Sequence, residues 1–335
     1  MCRVQPSKSN YDDLFRLLGC IVLILSVGAA VSPMLFWGGK GLLVWMHESG
    51  TIIQETQANT WPLSEVLRAD FARFFNRAVL VAALIVLPLY ARKAGYTARL
   101  LPSLKPTKAG LAQFGIGFFL AACLLLQLGW GLVHAEVYSL RADAPWWGLA
   151  TPLTAALGAS VVEEIVFRGF LLGLLLRSMR VGTAVFWTTF VFALVHFLKP
   201  PEHVVVQGDA VGWGTGFWLI GQILSNFGHV DFLLADFCTL FAVGLMLALA
   251  RVRTRALWCS LGLHSGWVFG LKYFSALTRG TRPLRAGDHL PWIGENLRIG
   301  LVPLFVVLIT GWVAIAITRR IRPPATGVDS DCGKA

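Results

Sequence analysis

Long apolar runs dominate this sequence and constrain its fold more than any other feature. Of the 335 residues, 56% are hydrophobic and 14% are charged, whereas soluble domains contain about 25% charged residues. A run of about 20 apolar residues is long enough to cross a bilayer as a helix. We therefore predict an all-α, polytopic membrane helix bundle with about eight transmembrane helices. The predicted spans are residues 14–37, 78–90, 111–133, 147–176, 183–198, 232–250, 256–274 and 301–317.

Basic residues indicate the orientation of these spans. Residues 92–108 contain five Lys or Arg residues and no acidic residue, which is typical of a cytoplasmic loop. By parity, both termini are expected in the cytoplasm. Residues 279–285 carry three arginines on the predicted outer side and disagree with this rule. The net charge of +11 is explained by basic loops facing anionic lipid, and no soluble basic module is present to bind nucleic acid.

The spans suggest three regions along the chain. We expect an N-terminal membrane region with three spans and an outer loop (1–144), a core (145–277), and a last span with a cytoplasmic tail (278–335). The first apolar run also resembles a cleaved signal peptide, but its length favours a retained helix. Residues 66–75 have apolar residues at helical spacing and are expected to lie flat at the interface. The Gly- and Trp-rich residues 208–229 are expected to be interfacial or re-entrant.

Three ionisable residues lie inside the fourth predicted span. Glu163, Glu164 and Arg168 occupy six residues of an otherwise apolar run. Charged residues at the centre of a membrane helix are costly, about 2.5–3.5 kcal/mol each for Asp, Lys or Arg, and are functional by default. At ~100° per residue, Glu164 and Arg168 share one helix face. We therefore predict that Glu164 pairs with Arg168 and that Glu163 faces a cavity. A purely structural ion-pair network is the alternative.

Two histidines are predicted at comparable depth in other spans. At 1.5 Å per residue, Glu163, His196 and His264 lie ~21, ~24 and ~14 Å from the inner ends of their helices. A lone His in a membrane helix is more often a helix–helix hydrogen bonder. A free Glu with two His residues, however, can activate water, with or without a metal. Phe192 and Ser260 each lie one turn before one of these histidines. The remaining histidines are not expected in a site: His47, His134, His203, His229 and His289.

This pattern resembles a known family. Glu163-Glu164-x-x-x-Arg168, then Phe192-x-x-x-His196, then His264 in a later helix resembles the CPBP family of CAAX proteases and bacteriocin-processing enzymes, including type II CAAX prenyl endopeptidases. The resemblance covers about residues 145–277 and implies an intramembrane endopeptidase. It implies that Glu163 activates water, that His196 binds and orients this water, and that His264 stabilises the oxyanion. Glu164 and Arg168 would support these groups.

The sequence departs from the family pattern at one position. Family members commonly carry Asn or Asp four residues after the second histidine, where this chain has Val268. Ser260, on the same helix face, is a candidate replacement donor. The departure keeps open an inactive member acting as a scaffold or binding protein, or a transporter that uses buried Glu and His.

The partners and the cofactor follow from the same resemblance. The expected partners are a membrane-associated or lipidated peptide substrate and the bilayer. No cofactor is certain; a possible Zn²⁺ would be bound by Glu163, His196 and His264, and we favour glutamate chemistry without a tightly held metal. The absence of an Asn-x-Ser/Thr acceptor and the short loops favour a bacterial inner membrane.

Overall fold

The computed structural model describes residues 12–49, 66, 68–93, 106–198, 200, 204–206, 208–225, 230–281 and 289–321. The chain divides into two compact units, one of residues 1–13, 95–196 and 230–335 and the other of residues 14–94 and 197–229. The helices in chain order are α1 (Asp12–Glu48), α2 (Phe71–Lys93), α3 (Lys108–His134), α4 (Ala150–Glu164), α5 (Leu172–Ser178), α6 (Val181–Val195), α7 (Thr215–Ser225), α8 (Val230–Thr254), α9 (Trp258–Leu277) and α10 (Leu301–Thr318). A π-helix (Ile165–Leu171) joins α4 to α5.

Every predicted span coincides with helical structure. Among the described residues, five helices are long and apolar enough to cross a membrane, and the chain is therefore a polytopic helical membrane protein. The helix α9 has 20 residues, but its polar side chains lower its hydropathy, and α6 is apolar but shorter. The number eight therefore stays a prediction. The five are Phe15–Met46, Phe71–Tyr90, Lys108–His134, Asp236–Thr254 and Leu301–Thr318.

The second span begins earlier than its apolar run. Helix α2 begins at Phe71, and the Asp70 carboxylate accepts a hydrogen bond of 3.1 Å from the backbone N–H of Arg73. This contact caps the helix, because it satisfies one of the free N–H groups of the first turn. The chain is not helical at Ala69 and Asp70. Residues 66–75 therefore do not form one continuous helix, and their predicted position at the interface stays a prediction.

The larger unit is organised around the close contact of α3 with α9. Gly262 and Gly266, on either side of His264 in α9, allow this approach. A Cβ at Gly262 would collide with the carbonyl oxygen of Phe114, and one at Gly266 with that of Phe118. Small residues at such contacts let membrane helices pack closely through van der Waals contact. The apolar core beside this contact includes buried residues of α3, α8, α9 and α10: Ala121, Leu125, Leu247, Leu263, Phe274 and Ala314.

Hydrogen bonds show which helix ends of this unit lie together. A short antiparallel ladder pairs β1 (Tyr138–Leu140), after α3, with β2 (Thr278–Gly280), after α9. The Tyr138 hydroxyl donates to the carbonyl of Gly294 at 3.0 Å. Burial, with the added effect of the Glu295 charge, raises the pKa of Tyr138, so the hydroxyl stays protonated as a donor. The loops after α3, after α9 and before α10 therefore share one side, as the predicted topology requires.

The same arrangement bears on the arginines that disagree with the predicted orientation. Arg279 lies 4.0 Å from the carboxylate of Asp143, and both side chains are largely exposed. Of the three arginines, Arg282 and Arg285 lie outside the described residues. Exposed pairs of this kind contribute little stability. The contact does show that an acidic residue of the loop after α3, which is predicted on the same side, accompanies Arg279.

The smaller unit packs α1, α2 and α7 around an aromatic core. The rings of Phe36 and Phe74 lie 5.2 Å apart, edge to face, and Phe71 and Phe75 are fully buried. Of the predicted interfacial or re-entrant stretch 208–229, residues 215–225 form α7. This helix has 11 residues, too few to cross a bilayer. Whether it is interfacial or re-entrant stays a prediction.

The α3–α9 contact can be tested with two alanine substitutions. We expect Gly262→Ala to destabilise the protein by about 1–3 kcal/mol, because the new methyl group overpacks the contact with α3. Gly131→Ala, on α3, is the control, since a Cβ there meets nothing within 4 Å. The measurement is the thermal unfolding midpoint in detergent. A Gly262→Ala midpoint equal to that of Gly131→Ala would contradict the packing.

Candidate active site

The two adjacent glutamates at the end of α4 lie in different surroundings. Along α4, the buried residues recur every fourth position at Pro152, Ala156, Ser160 and Glu164. Glu164 belongs to this stripe and is 1% exposed, whereas the Glu163 side chain is 31% exposed. The difference follows from the rotation of ~100° between consecutive helical residues. Glu164 is therefore packed inside, whereas the Glu163 side chain is partly exposed. That Glu163 faces a cavity stays a prediction.

Arg168 is the partner of the buried glutamate. Its Nη1 donates to Glu164 Oε1 at 2.9 Å, as the helical spacing predicts, and its side chain is fully buried. The Nη2 group donates to the carbonyl of Gly244 on α8 at 3.3 Å. The guanidinium carbon lies 4.1 Å from the centre of the Phe192 ring. A charge buried in this way requires such partners, because unpaired burial would be strongly unfavourable.

Arg168 lies in a π-helix. The sequence does not predict this change from α-helical geometry. The seven residues Ile165–Leu171 follow Glu164 directly. Such segments interrupt α-helices rarely and often at functional sites. Glu164 and Arg168 lie on one face of this segment. The five residues from Phe167 to Leu171 are all buried.

His264 contacts the buried glutamate from α9. Its Nδ1 lies 2.9 Å from Glu164 Oε1, the oxygen that also accepts from Arg168. An ionised carboxylate only accepts hydrogen bonds, so Nδ1 of His264 carries the proton and donates it. The ring is thereby fixed with Nε2 directed toward the Glu163 carboxylate. A carboxylate hydrogen-bonded to one ring nitrogen of a histidine in this way sets its tautomer.

His196 is fixed by a different acceptor. It lies just past the end of α6, and its Nδ1 is 2.8 Å from the carbonyl oxygen of Phe192. Since a carbonyl cannot donate, Nδ1 again carries the proton. The Phe192 ring packs against the imidazole, with 4.4 Å between ring centres. The Nε2 atom of His196 is thus the one presented to Glu163.

Both histidines converge on one oxygen of Glu163. The distance from Glu163 Oε2 is 3.6 Å to His196 Nε2 and 3.6 Å to His264 Nε2. These separations are slightly too long for direct hydrogen bonds, and Oε2 makes none among the described residues. A water oxygen about 2.8 Å from each atom fits such a separation. The arrangement therefore has the geometry to hold one small polar molecule between a carboxylate and two imidazoles.

The charges of the cluster nearly balance. Glu164 and Arg168 are oppositely charged at 2.9 Å. Glu163 and the two imidazoles remain. A negative charge on the Glu163 carboxylate would be balanced by one proton held at Nε2 of either imidazole. The Glu163 carboxylate and these two Nε2 atoms are therefore the groups able to exchange a proton with a bound reactant.

The metal question concerns the same three side chains. Over the part of the chain that the structure describes, no group of three or more His, Cys, Asp or Glu side chains is arranged to hold a metal ion. Binding of the possible Zn²⁺ by Glu163, His196 and His264 stays a prediction from the sequence. The chemistry below is derived from the protein's own groups.

The remaining predicted residues lie around the cluster. Ser260 lies beside the Glu164 carboxylate, and its hydroxyl donates to the carbonyl of Leu257 at 3.0 Å. Val268 is half-buried on α9. His134 is exposed at the end of α3, and His289 lies in the loop before α10. His203, His229 and the side chain of His47 lie outside the described residues.

Some residues near the cluster are missed by sequence reasoning. The carbonyl of Gly244 accepts a hydrogen bond from Arg168. The sequence shows at this position only a small residue within an apolar helix. Ser160, one turn before Glu164, and Ser265, directly after His264, are both fully buried. Neither hydroxyl has a hydrogen-bond partner within the described residues. Serine is common at membrane helix contacts, so their positions carry little signal before the packing is known.

Fold and site together define a polytopic helical membrane protein with a buried Glu-His-His cluster. Residues 145–270 match the family model described as Type II CAAX prenyl endopeptidase Rce1-like. The predicted resemblance is thereby confirmed for this segment, which carries α4 to α8 and the part of α9 that holds His264. No curated protein and no solved structure gives a significant match.

The buried ion pair can be tested apart from activity. We expect Arg168→Met to destabilise the protein by about 3–5 kcal/mol, because it leaves Glu164 charged, buried and short of its partner. The double variant Arg168→Met/Glu164→Gln should recover part of this loss, since the uncompensated charge is removed. Unfolding in detergent measures both. A double variant less stable than Arg168→Met alone would contradict this account.

Proposed function

We propose that this protein is an intramembrane endopeptidase that hydrolyses peptide bonds of membrane-associated substrates. The observation that carries the proposal is the placement of Glu163 Oε2 at 3.6 Å from both His196 Nε2 and His264 Nε2. The Rce1-like match supports a protease, and the apolar helices support a substrate presented at the bilayer.

In the first step, Glu163 acts as the general base. A water molecule donates one hydrogen bond to the Glu163 carboxylate and one to the unprotonated Nε2 of His196. Glu163 takes a proton as the water oxygen attacks the carbonyl carbon of the scissile peptide. A positioned base of this kind contributes about 10²–10⁴ in rate.

The carbonyl oxygen becomes an oxyanion during this attack. His264, protonated at Nε2, donates to it, and Glu164 balances the charge of the imidazolium from the other side of the ring. Arg168 holds Glu164 in place. Donors that are already oriented toward developing charge are usually the largest contribution to catalysis. Glu163 then passes its proton to the leaving amine as the C–N bond breaks, and the products are a carboxylic acid and an amine.

The finer features of the proposal follow the sequence. The chain would cross the membrane eight times, with both termini in the cytoplasm of a bacterial cell. Glu164, Arg168, Phe192 and Ser260 would support the reacting groups, with Phe192 forming a wall against His196. The substrate would be a membrane-tethered or lipidated peptide. The glutamate mechanism is favoured over a metallopeptidase mechanism, because a Glu163 carboxylate bound to a metal would not be free to act as the base.

The central experiment compares single variants on a library of membrane-tethered peptides. We expect Glu163→Gln, which keeps the shape and loses the base, to reduce kcat at least 100-fold. Glu136→Gln, an exposed carboxylate after α3, is the control and should cleave as the wild type does. Cleavage by the wild type is expected to persist with a chelator. Loss with chelator and recovery with Zn²⁺ would establish a metallopeptidase instead, and full activity of Glu163→Gln would refute this site.

Val268 favours a second candidate function. Without a polar side chain at this position, the protein would be an inactive family member that binds or scaffolds membrane proteins, or a transporter that uses the buried Glu and His. A wild-type protein that is folded and cleaves no peptide would support this candidate.

Restoring the family residue distinguishes the two candidates. We expect Val268→Asn to raise kcat about 10-fold or more, because an added oxyanion donor can contribute up to 10²–10³. Val268→Leu is the matched control, since it changes the side chain without adding a donor. The measurement is the peptide cleavage rate at saturating substrate. Equal rates in both variants would show that position 268 does not face the oxyanion.

A further inference from the structure

The helix α8 contributes a backbone contact to the cluster at Gly244. The carbonyl of Gly244 accepts a hydrogen bond of 3.3 Å from Arg168 Nη2. A carbonyl oxygen has two lone pairs, so it can accept from this arginine in addition to its helical partner. The two ends of the Arg168 fork are thus fixed at different places, one by the Glu164 carboxylate and the other by α8.

Gly244 also allows α8 to lie close to α6. A Cβ at this position would be 3.0 Å from Cδ1 of Phe192 and 3.2 Å from Cγ2 of Thr189. Both distances are shorter than an ordinary van der Waals contact. Thr189 and Phe192 are both fully buried on α6, so neither the threonine nor the Phe192 ring can move without displacing its neighbours. Any larger residue would therefore displace this ring or the helix behind it.

The Phe192 ring touches three groups of the cluster. It lies under the Arg168 guanidinium, at 4.1 Å from its central carbon. Its centre is 4.4 Å from the His196 ring and 6.0 Å from the His264 ring, with the latter edge to face. A shift of Phe192 would thus be felt by Arg168 and by both histidines at once.

We propose that Gly244 is a positioning residue for the catalytic cluster. Its carbonyl holds one arm of Arg168, and its missing side chain leaves the room that Phe192 occupies between Arg168 and the histidines. This role rests on the proposed peptidase function for its kinetic consequence. Its structural consequence, the fixed orientation of Glu164 and His264, is independent of any activity.

The test compares two glycine-to-alanine variants. Gly244→Ala introduces the methyl group beside Phe192. Gly270→Ala is the matched control, because a Cβ there would be 3.3 Å from Leu125 Cδ2 at the α3–α9 contact, a similar degree of crowding in another place. We expect Gly244→Ala to lower kcat about 10-fold or more, with KM within about twofold of the wild type, while Gly270→Ala keeps both. A misplacement of this kind costs rate without loss of substrate binding.

A spectroscopic readout separates this role from general destabilisation and from a failure of the proposed function. In protein labelled with ¹⁵N-histidine, the Nδ1–H of His264 that donates to Glu164 should give a proton signal protected from solvent, assigned by its loss in His264→Gln. We expect this signal in the wild type and in Gly270→Ala, and its loss or displacement in Gly244→Ala. If the wild type cleaves nothing, the signal still tests the position of the cluster.

A second variant keeps the test open if Gly244→Ala does not fold. Arg168→Lys preserves the charge but lacks the planar fork, so it cannot bond Glu164 and the Gly244 carbonyl together. It should produce the same change in the His264 signal. Wild-type His264 signals in either folded variant, or equal kcat in Gly244→Ala and Gly270→Ala, would overturn the proposal.

Discussion

The arrangement of the site depends on the single carboxylate oxygen of Glu164 that accepts from both Arg168 and His264. Each contact is 2.9 Å long. Arg168 offsets the charge of the fully buried Glu164, and Glu164 in turn orients the His264 ring. The Glu164–His264 contact therefore depends on the Glu164–Arg168 contact. Buried ion pairs gain little stability over apolar packing. The better explanation for this one is orientation, since it directs His264 Nε2 toward Glu163.

The adjacent glutamate has a different environment because of one helical step. Glu164 faces the packed stripe of α4, and Glu163 lies about 100° away, where its side chain remains partly exposed. Two carboxylates of the same chemistry thereby separate into a fixed acceptor, Glu164, and the group proposed as the base, Glu163. Enzymes that use two carboxylates often divide acid, base and support roles by environment in this way. The Rce1-like segment supplies both residues from one turn of α4.

Much of this arrangement can be predicted from the sequence, because hydropathy and helical spacing are local. The helix positions and the Glu164–Arg168 contact follow from periods of apolar residues and from the i, i+4 rule. The approach of Glu163, His196 and His264 follows only from a comparison of depths. The π-helix at Ile165–Leu171 could not be predicted, since its sequence is that of an ordinary apolar helix. The cap at Asp70, where α2 begins, could not be predicted either, because apolar residues at helical spacing lie on both sides of it.

The contacts between helices are the part that the sequence does not contain. Arg168 contacts the carbonyl of Gly244, which lies 76 residues away in the sequence. Gly262 packs against the backbone of Phe114, which lies 148 residues away. In the sequence alone, glycines at close helix contacts cannot be distinguished from other glycines in membrane helices. Gly131 on α3 is one of the latter, since a Cβ there would meet nothing within 4 Å. The chemistry of the site depends on such contacts, because 3.6 Å between Glu163 and each histidine requires helices placed to within a fraction of an ångström. A membrane interior supplies no water to correct a misplaced charge, so packing must hold Arg168 and Glu164 where their charges cancel.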